Sequence, residues 1–118
     1  MFDRKRARKL AAGRIAIDGR IDLHGMRQAD AHDALVAFLT RSVARGFRTV
    51  LVITGKGGAG ADRSPDHTGA TRGVLRRNVP RWLAEPALAR VIVSFTEAHI
   101  RHGGAGALYI HLKSSGRT

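Results

Sequence analysis

A near-continuous apolar run, Thr49-Val-Leu-Val-Ile53, constrains the fold most strongly. A strand with one wet face alternates apolar and polar residues. A run without that alternation predicts a strand buried on both faces. Upstream, Ala31, Ala34, Leu35, Phe38, Leu39 and Val43 recur at helical spacing, which predicts a helix over residues 27–45. Gly46 follows Arg45 as a helix C-cap follows a cation in the last turn. Before that helix, residues 21–24 read as a short strand that ends in a glycine turn. The resulting β–α–β unit predicts parallel pairing with a right-handed crossover.

Residues 57–71 carry glycines, Asp62, Ser64, Pro65 and Asp66 with almost nothing apolar, the pattern of a long loop of the kind found at binding surfaces. Val74, Leu75, Val79, Trp82 and Leu83 share one helical face over residues 73–83. Pro80 falls inside that pattern and is expected to kink the helix or end it, and Pro86 to close the segment. Residues 91–95 and 107–112 supply two more strands, joined by a turn rich in His and Gly. The expected order is β-α-β-α-β-β, a mixed four-stranded sheet with two helices, in a single domain of 118 residues. Trp82 and Phe38 fit core positions, whereas Tyr109 fits either the core or a stacking surface on the sheet.

The charge is unusual for so small a chain. The formal net charge is +12 and the pI is near 11.7, which predicts strong attraction to polyanions. Nucleic acid leads as the partner, with an anionic membrane surface as the competitor. No apolar stretch approaches the roughly 20 residues that span a bilayer. No h-region of signal-peptide length follows the basic N-terminus. Cysteine is absent, so disulfides and thiolate-metal sites are excluded, and a cytoplasmic location is expected. Residues 1–19 form a basic arm, with Arg4, Lys5, Arg6, Arg8 and Lys9 against Asp3. It either lies along phosphates or serves as a solubilising tail. Residues 20–113 form the domain and 114–118 a short tail.

The segment Arg20-Ile-Asp-Leu-His-Gly25 carries the chemistry. On a strand, Ile21 and Leu23 point one way and Asp22 and His24 the other. A carboxylate and an imidazole then emerge together at the carboxyl end of the strand, where open α/β sheets build ligand sites. An imidazole titrates near neutral pH and suits general acid–base work on a phosphodiester, and a neighbouring carboxylate orients the ring or anchors a metal ion. On RNA the natural reaction is attack of the 2′-OH on the adjacent phosphate, with no obligatory metal. The other reading is structural, with Asp22 and His24 capping the next helix and satisfying the turn. A two-metal site fits poorly, because the chain has nine acidic residues and only Asp18, Asp30, Asp33 and Glu97 stand as further candidates here. Asp30 and Asp33 suit the helix dipole better. One Mg²⁺ between Asp22 and a phosphate stays open, and no protein metal site is assigned.

Thr54-Gly-Lys-Gly-Gly58 can present backbone N–H groups to a phosphate, with Lys56 adding charge, or serve simply as a flexible turn. It is not a P-loop, because Lys56 is followed by glycines rather than Ser or Thr. Arg72, Arg76, Arg77 and Arg81 form a positive ridge on the second helix, suited to positioning a phosphate backbone. His99, His102 and His111 lack zinc-site spacing and read as scattered surface histidines. His102 is the exception, because it abuts a glycine-rich segment and can approach a phosphate.

The motifs Ile21-Asp-Leu-His-Gly25, Thr54-Gly-Lys-Gly57 and Gly103-Gly-Ala-Gly-Ala-Leu-Tyr109, in that order, resemble the Smr (small MutS-related) domain. The resemblance covers about residues 20–113. It implies a two-layer α/β sandwich similar to the C-terminal domain of translation initiation factor three. It also implies nucleic-acid binding, with endonuclease activity on DNA or RNA in several members. Asp22 and His24 fall at the positions implicated in cleavage. Gly55, Lys56 and Gly57 fall in the turn implicated in contact with nucleic acid, and Gly103, Gly104 and Gly106 in the third motif. Arg27 departs from the Ser or Thr of many members, so the first helix is expected to lack a side-chain cap. Residues 59–71 make a longer loop than usual, and members vary between Thr and His at Thr54. The expectation is a monomeric endonuclease that prefers RNA or structured and branched substrates to plain duplex DNA. The alternatives are a non-catalytic RNA-, DNA- or ribosome-binding module and a protein-interaction adaptor.

Overall fold

The computed structural model describes residues 16–55 and 74–113. Lys56, Gly57, Arg72, the loop at 57–71, most of the basic arm and the tail at 114–118 lie outside the described residues. The elements are β1 (Gly19–Asp22), α1 (Gln28–Ala44), β2 (Thr49–Ile53), α2 (Val74–Leu83), α3 (Pro86–Ala89), β3 (Ile92–Glu97) and β4 (Ala107–Leu112). Two 3-10 turns, Ile100–His102 and Gly104–Gly106, lie between β3 and β4. The sheet is mixed, in the order β1-β2-β4-β3.

β2 lies inside the sheet, as its apolar run requires. It pairs in parallel with β1 and antiparallel with β4, and β3 pairs antiparallel with β4. β1, β2 and β3 therefore end at one edge of the sheet, where β4 begins. One face of the sheet packs Val50, Val52, Ile110 and Leu112 against Leu35, Phe38 and Leu39 of α1 and Leu75, Val79 and Leu83 of α2. Trp82 packs against this core partly buried, its ring edge-on to His32 with the centroids 5.1 Å apart. On the other face Leu51, Ala98, Ala107 and Tyr109 form a second cluster with Ile17 and Ile53. Tyr109 is fully buried, which assigns it to the core and not to a stacking surface.

The structure moves several expected boundaries. β1 ends at Asp22, not His24, although Leu23 is fully buried and its N–H still donates to the Ile53 carbonyl at 2.7 Å. The Asp22 carboxylate takes the His24 N–H at 3.0 Å, and such local side-chain bonds compete with a sheet ladder. β3 starts one residue late and runs on to Glu97, with a register shift between Ile92 and Ser94. Pro80 does not end α2. A helix-interior proline costs about 3 kcal/mol. Burial of Val74, Leu75, Val79 and Leu83, at about 1.5–3 kcal/mol each, outweighs that cost. Pro86 opens a helix where a stop was expected, because its missing N–H and fixed φ suit the first helical position of α3. Arg27 is the N-cap of α1 and makes no side-chain cap bond, as expected.

Candidate active site

The three glycine-bearing motifs meet at the edge where β1, β2 and β3 end. The N–H groups of Thr54 and Gly55 both donate to the Gly106 carbonyl, at 2.8 and 3.0 Å, and this ties the end of β2 to the start of β4. The Thr54 hydroxyl adds a third bond to the same carbonyl at 3.3 Å. Gly55 has φ +87°, and a Cβ there would lie 3.2 Å from the Cβ of His24. The second motif thus touches the first on one side and the third on the other. Gly103, at φ +119°, turns the chain back toward β4, and a Cβ there would lie 2.9 Å from that of Ala107. Gly104 starts the second 3-10 turn and Gly106 ends it.

Asp22 and His24 form the centre of this edge. Asp22 Oδ1 accepts from His24 N at 3.0 Å and lies 2.7 Å from His24 Nδ1. An ionised carboxylate can only accept, so Nδ1 carries the hydrogen and the neutral ring bears its lone pair on Nε2. The side chains of His24 and Asp22 are 68% and 51% exposed, open enough for a phosphate to reach the ring. Burial tends to raise the Asp22 carboxyl. The hydrogen bonds from the His24 ring and N–H, with the charge of His24, outweigh it and hold Asp22 below the ordinary carboxylate range. The bonds of Asp22 go to His24, and α1 takes no cap from it. The helix-capping half of the structural reading is therefore set aside, while the bond to His24 N satisfies the turn as that reading expects.

Other expected site residues separate. Asp18 lies at the opposite edge, where its Oδ2 accepts from Arg48 N and Thr49 N at 2.7 and 3.1 Å. His111 is not a surface histidine. It is buried on β4 beside Thr49, with Nδ1 3.1 Å from the Thr49 hydroxyl. Arg76, Arg77 and Arg81 are exposed on α2. Asn78, beside Arg77, donates to Gln28 at 2.8 Å, and Gln28 opens α1 four residues after His24. Among the described residues no three His, Asp or Glu side chains gather as metal ligands, and no helix is long and apolar enough to cross a membrane.

A family model, the Smr domain, matches residues 21–113 of this chain. The chain belongs to the Smr family. Two curated relatives fix how far the likeness extends. The sequence is 33% identical over 93 residues to the protein named endonuclease MutS2 of Helicobacter pylori, across 79% of this chain and 10% of that one. It is 28% identical over 107 residues to the probable DNA endonuclease SmrA of Escherichia coli, across 91% of this chain and 51% of that one. This Smr chain thus spans from a tenth to about half the length of these relatives. At 24% identity two crystal structures show the same fold. The Smr domain of Thermus thermophilus MutS2 superposes with a TM-score of 0.63, over 80% of this chain and 98% of that one. YdaL, a stand-alone small MutS-related protein from Escherichia coli, superposes with a TM-score of 0.70, over 97% and 79%.

Two residues of this Smr edge escaped the sequence reading, Arg20 and Arg101. Arg20 precedes Asp22 by two residues on β1 and so shares its face. It pairs across the sheet with Leu51, which pairs with Tyr109. Tyr109 holds His102, its hydroxyl 2.6 Å from Nδ1. Burial first, then the charges of Arg101, Arg20 and His99, push the His102 imidazole below its ordinary value. Arg20 and Arg101 thus add positive potential on the His102 side of the edge. The period-2 rule that paired Asp22 with His24 also reaches Arg20. No local signal announced Arg101.

Proposed function

We propose that this Smr domain binds nucleic acid along the edge formed by the three motifs and cuts its phosphodiester backbone there. RNA and structured or branched substrates are preferred to plain duplex DNA. The observation that carries this reading is the Asp22–His24 pair, 2.7 Å apart and exposed beside the glycine turns. The relatives named as endonucleases support the same class of activity.

On RNA, His24 Nε2 takes the proton of a 2′-OH as that oxygen attacks the adjacent phosphorus. The P–O5′ bond breaks, leaving a 2′,3′-cyclic phosphate and a 5′ oxygen that is protonated by the imidazolium or by water. Asp22 fixes the tautomer and stabilises the charged ring. Its bonds to His24 use Oδ1, so Oδ2 and a substrate phosphate are the donors open to Mg²⁺. A bound ion there would offset phosphate charge. Lys56, Gly57, Arg72 and the arginines of α2 would position the backbone.

Cleavage of labelled structured RNA and branched DNA by wild type and His24→Ala, with Mg²⁺ and with EDTA, tests the assignment. The variant should lose cutting by about 10²–10⁴-fold while keeping its affinity. Cutting of RNA that survives EDTA is the outcome expected of imidazole-led chemistry. No cutting by wild type, with a mobility shift that salt abolishes, would replace this reading with a non-catalytic binding module.

Affinity should fall steeply with salt. Neutralising about five phosphates gives a log–log slope near −4. A titration of binding across salt concentration that returned a flat line would remove nucleic acid as the partner and favour a protein adaptor.

A further inference from the structure

Between β3 and β4 the chain builds a compact turn around the hydroxyl of Tyr109. That hydroxyl accepts from the His99 N–H at 3.2 Å and lies 2.6 Å from His102 Nδ1. The two rings stand edge-on, their centroids 5.6 Å apart. Tyr109 is fully buried, so water does not serve its O–H. Among the described residues His102 Nδ1 is the acceptor placed to take that hydrogen. A buried hydroxyl left without an acceptor costs the full desolvation of the group. The phenol therefore donates to Nδ1, and the neutral His102 ring must carry its own hydrogen on Nε2.

His24 is held the other way. Asp22 fixes the hydrogen on Nδ1 and leaves Nε2 as the acceptor. Two imidazoles at one edge of the sheet are thus set in opposite proton states by partners behind them. The connection between them is physical. His24 abuts Gly55, Gly55 donates to the Gly106 carbonyl, and the Gly106 N–H donates to the Gly103 carbonyl, next to His102.

We infer that His102 is a fixed hydrogen-bond donor, its Nε2–H given to an oxygen of the phosphate on which His24 acts, with Tyr109 as the positioning residue. The inference rests on the reading of this edge as a nucleic-acid site. Burial and the neighbouring Arg101 and Arg20 charges disfavour the charged form of His102, in keeping with the neutral ring that the donor tautomer requires. Arg101, adjacent in sequence, and Arg20, which shares the face of Asp22, supply the positive potential that draws the phosphate in. A neutral donor of this kind takes no proton from the reaction and gives none up. It offsets charge on the phosphate while His24 moves the proton.

The test is nitrogen-15 NMR of the full chain at neutral pH, with a 2′-O-methyl RNA oligonucleotide that cannot be cut through its 2′-OH. The long-range proton–nitrogen pattern should show His102 protonated on Nε2 and His24 on Nδ1. Tyr109→Phe should erase the preference at His102 and leave that of His24. Saturation with the oligonucleotide should shift the His102 Nε2 resonance. His102→Ala should weaken binding roughly tenfold or more, and His102→Gln, whose amide keeps a donor near that position, should recover most of it. If Tyr109→Phe does not fold, the two His102 variants carry the test. A wild-type spectrum with His102 protonated on Nδ1, or bound oligonucleotide with an unshifted His102, overturns the inference and leaves the nuclease reading intact. A wild type that binds through His102 yet cuts neither RNA nor branched DNA supports the donor role of His102 and overturns that reading.

Discussion

Asp22→Asn is expected to lower cleavage by about 10²–10⁴-fold without weakening binding. The carboxylate does two things that an amide cannot combine. It accepts from His24 N and from His24 Nδ1 through the same oxygen, and it carries the charge that favours the imidazolium formed during proton transfer. An Asn amide oxygen can accept both contacts but carries no charge, and a flipped amide presents its NH₂ group instead. When the NH₂ group faces the ring, Nδ1 becomes the acceptor and Nε2 the donor, the wrong state for a base. Removing a negative charge beside a phosphate path cannot reduce affinity for a polyanion, so binding should be unchanged or tighter. Cleavage and gel-shift assays on the same preparation separate the two effects. Equal losses in both would show that Asp22 supports the fold of the edge and not the chemistry.

The lowered Asp22 carboxyl gives this prediction a pH counterpart. Its folded pKa lies below the unfolded value. The stability it contributes is fully present above the unfolded carboxylate value and is lost as pH falls through the lower folded value. Asp22 therefore protonates at lower pH than an ordinary carboxylate. Protonation of Asp22 should then cost cleavage only at more acidic pH than ordinary carboxylates titrate, and Asp22→Asn should lack that acid loss. A pH–rate profile of the two proteins checks this.

How much of this was legible in the sequence depends on the period each segment carried. The unbroken run at Thr49–Ile53 and the helical spacing around Leu35 and Leu39 gave β2 and α1 within about a residue, because burial alone dictates them. Alternation placed Asp22 and His24 on one side, yet it overran the strand. The Asx-type bond from Asp22 to His24 N ends the ladder, and hydrophobic period carries no sign of such a bond. Of the two outcomes expected of Pro80, an end to the helix does not occur, because the core that α2 buries outweighs the local cost. Tyr109 and His111 both sit on β4, where alternation states which residues share a face but not whether that face is covered. His99 read as a scattered surface histidine, and His102 stood out only for its place beside the glycines. What unites them is the hydroxyl of a residue on the following strand. Arg20 was within reach of the same alternation that found Asp22. Arg101 was not, since a 3-10 turn has no periodic signature at that length.

Gly55→Ala should separate position from chemistry at this edge. Gly55 has φ +87°, a conformation that costs an L-residue roughly 1–2 kcal/mol. The new methyl would also lie 3.2 Å from the Cβ of His24, so one of the two must give by a few tenths of an ångström. Gly55 is anchored by its own N–H to the Gly106 carbonyl at 3.0 Å, as is Thr54 beside it at 2.8 Å. His24 stands on an exposed turn and is held by Asp22, so His24 is the side that yields. The strain should appear as a modest loss of stability in urea, within about 1–2 kcal/mol, with the transition still cooperative. Cleavage should fall much further, because misplacement of a catalytic group by about 1 Å can cost on the order of 10²-fold. Gly55→Val adds two more carbons at the same close approach and should lower cleavage again. Affinity should change little in Gly55→Ala, since the variant removes no cation and keeps the backbone N–H. A Gly55→Ala protein that cuts at the wild-type rate would mean that His24 is not the group whose placement limits the reaction. Loss of binding in step with cleavage would mean instead that the turn itself grips the phosphate, and that the glycine serves contact before it serves the imidazole.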